Sequence, residues 1–400
     1  MRNDGLHVIV IADDITGAAE MAGIAFTHGQ QVRLVCSGSV CCDTVAVNGT
    51  TVIATDTRSM TEAEAVAETQ KASFLIPHSS LLIPHSSFLI YKKTDSALRG
   101  HVVAELSALM KATGYHRAVY LPANPSKGRV IKDGIYYINN VPIHETDFSF
   151  DPEFPATTSA LKERFPDAEQ YGIIMPDAES EEDIRRVIAK YNDGKTLFAG
   201  AADLFSAMLG TFGNTRITSN TRASRLSGSS TLILCGSTQS KPLDLGIPIA
   251  PMPREVYDGN DDLSLWDTSA YDKEHQLILT MPYTHRTGKE SAVHLRTVMA
   301  AKAKELITQH LFPALDREGS GEGLHLIIEG GATAWATLQA LGWTQFEIIA
   351  QLAPGVVQMR AANGTLVTLK PGSYPWGNIV FSDGSPRPHI HPTDHGVCDL

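Results

Sequence analysis

Short β-branched runs alternate along this chain with longer stretches whose apolar residues fall three and four apart. His7 to Ala12 reads HVIVIA, the pattern of a strand buried on both faces, and Thr16 to Phe26 follows with small and apolar residues at helical spacing. VRLVC and TVIATDT read as strands, Thr61 to Ala72 as a helix opened by Thr-x-x-Glu, FLIYKKTD as a strand and Val102 to Ala112 as a helix. Strands alternating with helices predict an α/β fold around a parallel sheet. RAVYLPANPS is a strand with a proline-rich exit. The stretch VIKDGIYYINNVPIHET then predicts an antiparallel accessory hairpin, turning at Asp133-Gly134 and again at Asn139-Asn140.

Residues 151 to 170 read as a lid or connection, after which YGIIMPDA restarts the α/β pattern ahead of a helix from Glu181 to Tyr191. The stretch from 211 to 230, rich in Thr, Ser, Gly and Asn, reads as a linker. Beyond it TLILCGST, LHLIIEGGATAWATLQALG and LVTLKPGSYPWG each begin as a strand and end in, or pass through, a glycine turn. The expectation is two α/β domains with mostly parallel sheets, residues 1–220 and 221–400. A tandem heptad, SFLIPHS at 73–79 and SLLIPHS at 80–86, is too short for a solenoid and reads as a duplicated loop beside a buried strand, with His78 and His85 as a metal pair the lesser reading.

Composition narrows the classes. At 400 residues and 43% apolar, the chain can bury more than one core, which agrees with two domains. Its net charge of -11 is spread along the chain, so no phosphate backbone is expected as a partner. Five cysteines without regular spacing argue against a disulfide framework and for a reducing, cytoplasmic setting. No apolar stretch approaches the ~18 residues of a membrane span, and no export signal is expected.

The chemistry gathers at strand ends. In IADDITGAA a buried strand ends in two adjacent carboxylates, Asp13 and Asp14, just before a helix start. The carboxyl edge of an open α/β sheet is where ligands bind, and one cap would need only one of the two. YKKTDSALRG places Lys92, Lys93, Asp95, Ser96 and Arg99 between a strand and a helix. Cations beside a carboxylate suit an acidic, hydroxylated ligand: Lys and Arg hold its acid group while Asp95 accepts a hydroxyl proton. TDTRS adds Asp56 and Arg58, and PANPSKGR adds Asn124, Lys127, Gly128 and Arg129, so several strand ends converge on one crevice. In the second half, CGSTQS, EGGATA and LKPGSYPWG are glycine turns after strands. Gly330 and Gly331 would let backbone approach a phosphate, and Ser237 and Thr333 would offer hydroxyls, though ordinary tight turns have the same look. The tail PHIHPTDHGVCDL carries ligand types for a soft divalent metal but no strand or helix to fix them, and reads as a polar tail.

In this order the runs IADDITGA, TDTR, YKKTDSALRG, PANPSKGR, CGST, EGGATA and LKPGS resemble the four-carbon acid sugar kinase family over nearly the whole chain. The first four are specific in combination; the later ones match by order and distance. The resemblance implies a two-domain enzyme that phosphorylates threonate-like, erythronate-like or oxo-tetronate-like acids with ATP and Mg²⁺, with room for a homodimer. Its first domain would hold the acid through Asp13, Asp14, Arg58, Lys93, Asp95, Ser96 and Arg99. Its second would hold ATP through Ser237, the turn Gly330, Gly331, Ala332 and Thr333, and Gly372. Two departures stand out: Ala332 where many members carry an acid, for which Glu329 is the expected substitute, and Pro371-Gly372-Ser373-Tyr374 in place of the usual small-residue and Asn-Phe-Gly run. One of Asp13, Asp14 and Asp95 is expected to act on the attacking hydroxyl, with Lys93, Arg58 and Arg99 clamping the carboxylate. The alternatives are a metal-dependent sugar-acid lyase or hydrolase, which would need no ATP, and a non-catalytic sugar-acid-binding homologue.

Overall fold

The strand β1 (His7–Ala12) is buried at every position, as its unbroken β-branched run requires, and it is the centre from which the architecture grows. The computed structural model describes residues 7–38, 49–74, 88–151, 153–212, 230–237, 245–281, 288–315, 323–372 and 374. Most of the tandem heptad, residues 213–229 of the expected linker, and the histidine-rich tail lie outside the described residues.

The first half continues with β2 (Val32–Cys36), β3 (Gly49–Ala54), β4 (Phe88–Lys93) and β5 (Arg117–Leu121), then β6 (Arg129–Lys132), β7 (Ile135–Ile138) and β8 (Val141–Pro142), then β9 (Ile173–Ile174) and β10 (Thr196–Gly200). The second half holds β11 (Thr231–Cys235), β12 (Ile249–Pro251), β13 (Gln276–Thr280), β14 (His325–Glu329), β15 (Gln345–Ala353), β16 (Val356–Ala361) and β17 (Leu366–Lys370). The fold is α/β with a mostly parallel sheet. The halves do not form separate sheets, however. One 14-stranded sheet runs β12-β13-β11-β14-β17-β16-β15-β2-β3-β1-β4-β10-β5-β9. It is parallel except at three successive pairings, β17 with β16, β16 with β15, and β15 with β2, which are antiparallel. The join is the pairing of Gln345–Glu347 with Arg33–Val35.

β6, β7 and β8 form the expected antiparallel accessory. Asp133 and Gly134 both take positive φ, 51° and 75°, as do Asn139 and Asn140, which is the conformation a two-residue hairpin turn needs. Within the main sheet, β1 lies between β3 and β4, so the chain leaves it in opposite directions and a crevice opens at its carboxyl end. The helix Ile15–Thr27 leaves that end and packs on β15, β16 and the helix Gly331–Leu341 of the second half. Its approach is close at Gly23, where a Cβ would stand 2.8 Å from Val357 Cγ2 and 3.2 Å from the Gln351 side chain. No described helix is long and apolar enough to cross a membrane.

Candidate active site

Three of the four strand-end motifs meet on one guanidinium. Arg58, in a short 3₁₀ turn after β3, reaches Asp13 Oδ2 and Asp14 Oδ1, each at 3.0 Å, and lies 3.7 Å from Asp95 Oδ1. Parallel pairing of β3, β1 and β4 in register brings these strand ends to one level, so residues far apart in sequence become neighbours. Asp95 is further held by Arg99, through Nε at 2.8 Å and Nη2 at 3.0 Å, and Arg99 in turn reaches Asp151 at 3.5 Å.

The three carboxylates differ in what remains open to a ligand. Asp14 caps the helix Ile15–Thr27, accepting from Gly17 N at 2.9 Å, and its other oxygen accepts from the Thr16 hydroxyl at 2.5 Å. Asp14 therefore caps the helix and contacts Arg58 at the same time. Burial works against its charge, but Arg58, Lys93 and the Thr16 hydroxyl together hold its carboxyl below the usual range. Asp95 is buried too, yet Arg99 and Arg58 hold it well below. Asp13 goes the other way. Burial pushes its carboxyl up, the neighbouring Asp14 adds to this, and Arg58 offsets only part. Its Oδ2 accepts from Arg58, while its buried Oδ1 has no hydrogen-bond partner among the described residues.

Alternation along β4 separates the two lysines. Lys93 faces the crevice: its Nζ donates to Thr94 O at 2.8 Å and lies 4.0 Å from Glu20 Oε2, and a Cβ on Gly17 would stand 3.0 Å from it. Lys92 does not join the ligand-facing group. It is 1% exposed and its Nζ lies 2.7 Å from Glu105 Oε2, a charge contact without hydrogen-bond alignment. Glu105 also accepts from Thr57 and Thr69, so this pair braces the turn that carries Arg58 from beneath. Asn124 is likewise structural in placement. Buried at 1% exposure, it accepts from Asp203 N at 2.9 Å at the start of the helix Ala202–Phe212. Ser96 stays at the crevice, where its hydroxyl accepts from Arg129.

The second half brings its glycine turns together at the carboxyl ends of β11, β14 and β17. A Cβ on Gly372 would collide with Ser237 Oγ at 2.2 Å, and one on Gly236 with Thr333 Oγ1 at 1.9 Å. Thr333 is 3% exposed, so its hydroxyl packs the turn rather than lining an opening. Glu329, expected to stand in for the acid missing at Ala332, is fully buried and ion-paired with Lys370. Its side chain lies beneath the turn, with Oε1 on Lys370 and Oε2 buried without a hydrogen-bond partner among the described residues. What faces outward is backbone. Gly330 takes φ 97°, and the helix Gly331–Leu341 starts without a side-chain cap from that residue, so among the described residues its first amides have no capping side chain.

That helix start faces the first half. A Cβ on Gly331 would stand 3.2 Å from Thr16 Cγ2 and 3.5 Å from Asp14 Oδ2, so the IADDITGA and EGGATA turns confront each other across a narrow gap. A second bridge was not legible in the sequence. Tyr374, after the KPG turn, receives a hydrogen bond from Lys127 at 2.5 Å and donates to Glu20 Oε1 at 3.1 Å, while the Lys127 ammonium lies 4.1 Å from its ring centre. Glu20 sits one turn into the first helix and closes the group by pairing with Lys127 at 2.5 Å. Within the departure noted above, Tyr374 is therefore a contact between the halves.

Comparisons with known proteins fit this division. A family described as a sugar-binding N-terminal domain matches residues 8–168, and one described as a nucleotide-binding C-terminal domain matches residues 267–374. A D-threonate kinase of Salmonella typhimurium is 32% identical over 158 residues, which is 40% of this chain and 36% of that protein. The chain thus aligns to little more than a third of that relative's length. A 3-oxo-tetronate kinase of Brucella melitensis is 26% identical over 412 residues, covering 91% of this chain and 92% of the relative. Among solved structures, a Haemophilus influenzae protein from a family of unknown function superposes with a TM-score of 0.63 at 20% identity, over 94% of this chain and 98% of that one, which establishes the shared fold.

Proposed function

Because the chain belongs to the four-carbon acid sugar kinase family, we propose that it transfers the γ-phosphoryl group of ATP to a hydroxyl of a four-carbon sugar acid. The observation that carries the reading is the confrontation of an uncapped helix start at Gly331 with the carboxylate turn at Asp14 and Thr16. A helix N-terminus offers amides and the positive end of a dipole to phosphate, and here it points at carboxylates able to handle a hydroxyl. In this reading residues 1–220 hold the acid and residues 221–400 the nucleotide.

Asp13 is the base we assign. Of the three clustered aspartates it alone has an oxygen without a partner among the described residues, and its carboxyl is raised; both favour taking a proton from an incoming hydroxyl. Arg58 fixes the three carboxylates in one geometry, and the rest of the rate would come from positioning and charge stabilisation. Gly330 and Gly331 carry no side chains to crowd the turn further against Ser237 and Thr16, and their backbone is what would take an ATP phosphate. Among the described residues no group of three or more His, Cys, Asp or Glu gathers as a metal cage. Mg²⁺ is usually held by one or two carboxylates together with substrate phosphates. Asp14 is the carboxylate nearest the helix start, and an ion held there would neutralise charge on the transferred group.

The test is a coupled ADP-release assay run beside thermal shift across threonate, erythronate and 3-oxo-tetronate stereoisomers. The expected result is ADP release with at least one acid and stabilisation by that same acid. Turnover of an acid without ATP would favour a lyase, and stabilisation without ADP release a non-catalytic binder; either result overturns the kinase reading.

A further inference from the structure

The cations around the crevice are almost all committed. Arg58 is shared by Asp13, Asp14 and Asp95; Arg99 is paired with Asp95 and Asp151; Lys127 is paired with Glu20; and Lys93 lies 4.0 Å from Glu20. A substrate carboxylate binding to Arg58 or Arg99 would have to displace a buried aspartate or add a further negative charge beside it. Arg129 is different. Among the described residues no carboxylate lies within ion-pair distance of it. Its Nη1 donates to Ser96 Oγ, and its guanidinium carbon lies 5.7 Å from the ring centre of Phe148. That ring also lies 5.8 Å from the guanidinium carbon of Arg99, so it serves as an apolar wall against both cations.

Arg129 is well placed to act as a receptor. It opens β6 immediately after Gly128, whose φ of 66° sets the turn, and its backbone bridges Asn124 in both directions, through Asn124 N to Arg129 O at 2.7 Å and Arg129 N to Asn124 O at 3.2 Å. The guanidinium stands beside Ser96, next in sequence to Asp95, and its charge is felt at Tyr374 on the opposite half. Because the Ser96 hydroxyl accepts from Arg129, its own proton is left to donate.

We propose that Arg129, with the Ser96 hydroxyl beside it, receives the carboxylate of the substrate and so makes the site selective for sugar acids over the corresponding uncharged polyols. This rests on the sugar-acid reading above and sharpens it, moving the acid-binding role from Arg58 and Arg99 to a residue whose charge is not yet balanced. A guanidinium presents parallel N–H donors that match a carboxylate, and the charge-assisted bonds so made are the strong ones.

The experiment compares the unmodified protein with Arg129→Gln and Arg129→Lys, using D-threonate and D-erythronate against threitol and erythritol. Each is read by thermal shift without nucleotide and by ADP release with ATP. The unmodified protein should be stabilised by an acid and not by its alcohol. Arg129→Gln should lose that stabilisation, and its KM for the acid should rise on the order of 10- to 100-fold with kcat at saturation changed far less. Arg129→Lys, which keeps the charge but not the fork, should fall between the two. If Arg129→Gln folds and keeps the acid-over-alcohol preference, the assignment is wrong. Should Arg129→Gln not fold, Arg129→Lys decides alone: an unchanged KM for the acid overturns the proposal. Acid-dependent stabilisation without ADP release would sink the kinase reading while leaving the Arg129 comparison to be read from the shifts. No stabilisation and no ADP release with either acid would overturn both.

Discussion

Asp13 and Asp14 are adjacent in sequence, share one arginine, and are driven in opposite directions by their surroundings. Asp14 has both oxygens satisfied and stays ionised; Asp13 keeps one buried oxygen without a partner among the described residues and holds its proton more tightly than an exposed aspartate. Two consequences follow for pH. Activity that needs ionised Asp13 should decline as pH falls, with a midpoint above the ordinary ~3.9 of an aspartate, and Asp13→Asn should lower kcat by about 10²- to 10⁴-fold and abolish that acid limb. A profile unchanged in Asp13→Asn would transfer the base role elsewhere. For stability the sign differs from group to group. Asp95 is held well below its unfolded value, so its contribution is complete above ~3.9 and is lost as pH falls towards its lower folded value, whereas ionising Asp13 costs stability as pH rises through its own raised value. At this scale the sequence was informative about residue types at strand ends. It was less so about direction: the period of two along β4 means Lys92 and Lys93 face opposite ways, and only the structure shows that it is Lys93 that faces the crevice. The pairing of Glu329 with Lys370 was not legible, because Lys370 is distant in sequence and adjacent only once β14 pairs with β17.

The two helices that begin at the crevice start differently, and the proposed nucleotide site rests on that difference. Ile15–Thr27 is capped by Asp14, while Gly331–Leu341 has no side-chain cap and its dipole is open to an anion. The first helix also holds the halves together, and Gly23 is what lets it lie close to β15 and β16. Alanine is ordinarily better than glycine inside a helix by ~0.5–1 kcal/mol. At this position, however, the added methyl meets Val357 at 2.8 Å, and overpacking of a tight contact costs ~1–3 kcal/mol. Gly23→Ala should therefore be net destabilising, seen as a lower midpoint in urea with an unchanged slope; a raised midpoint would mean that the seam is loose. Elements with local signals were legible, among them the Thr61 capping box and the Asp133-Gly134 turn. The Tyr374 bridge to Glu20 and Lys127 was not, because nothing near Tyr374 in the sequence indicates what it touches.

Two domains were expected, and the linker and the switch in motif type pointed to them, but the single sheet was not foreseeable. Which edge strand meets which is decided by the three-dimensional arrangement of strands far apart in sequence, and neither VRLVC nor QFEIIAQLA announces its partner. The antiparallel pairings also reverse strand direction between the halves, which alone would send their ligand-bearing ends to opposite edges. Neighbouring strands twist by ~20–25°, so the six steps from β1 to β14 accumulate about 120–150°, enough to bring the two ends back towards one another. The contact of Gly331 with Thr16 is the outcome. A twist of that ordinary size is sufficient to account for a cleft that strand order alone would have pulled apart.

β2 gains its outer partner late in the life of the chain. Synthesis delivers Val32–Cys36 more than three hundred residues before Gln345–Ala353, and until then VRLVC is the bare rim of a seven-stranded sheet, with unpaired amides and carbonyls open to any other strand. A fragment ending at Phe212 should consequently scatter light at concentrations where the whole chain stays clear, and adding the second half in trans should suppress it. A fragment that remained monomeric by light scattering would show that the rim protects itself. For the nascent protein, the half made last, to which nucleotide binding is assigned above, is also the half that shields the one made first.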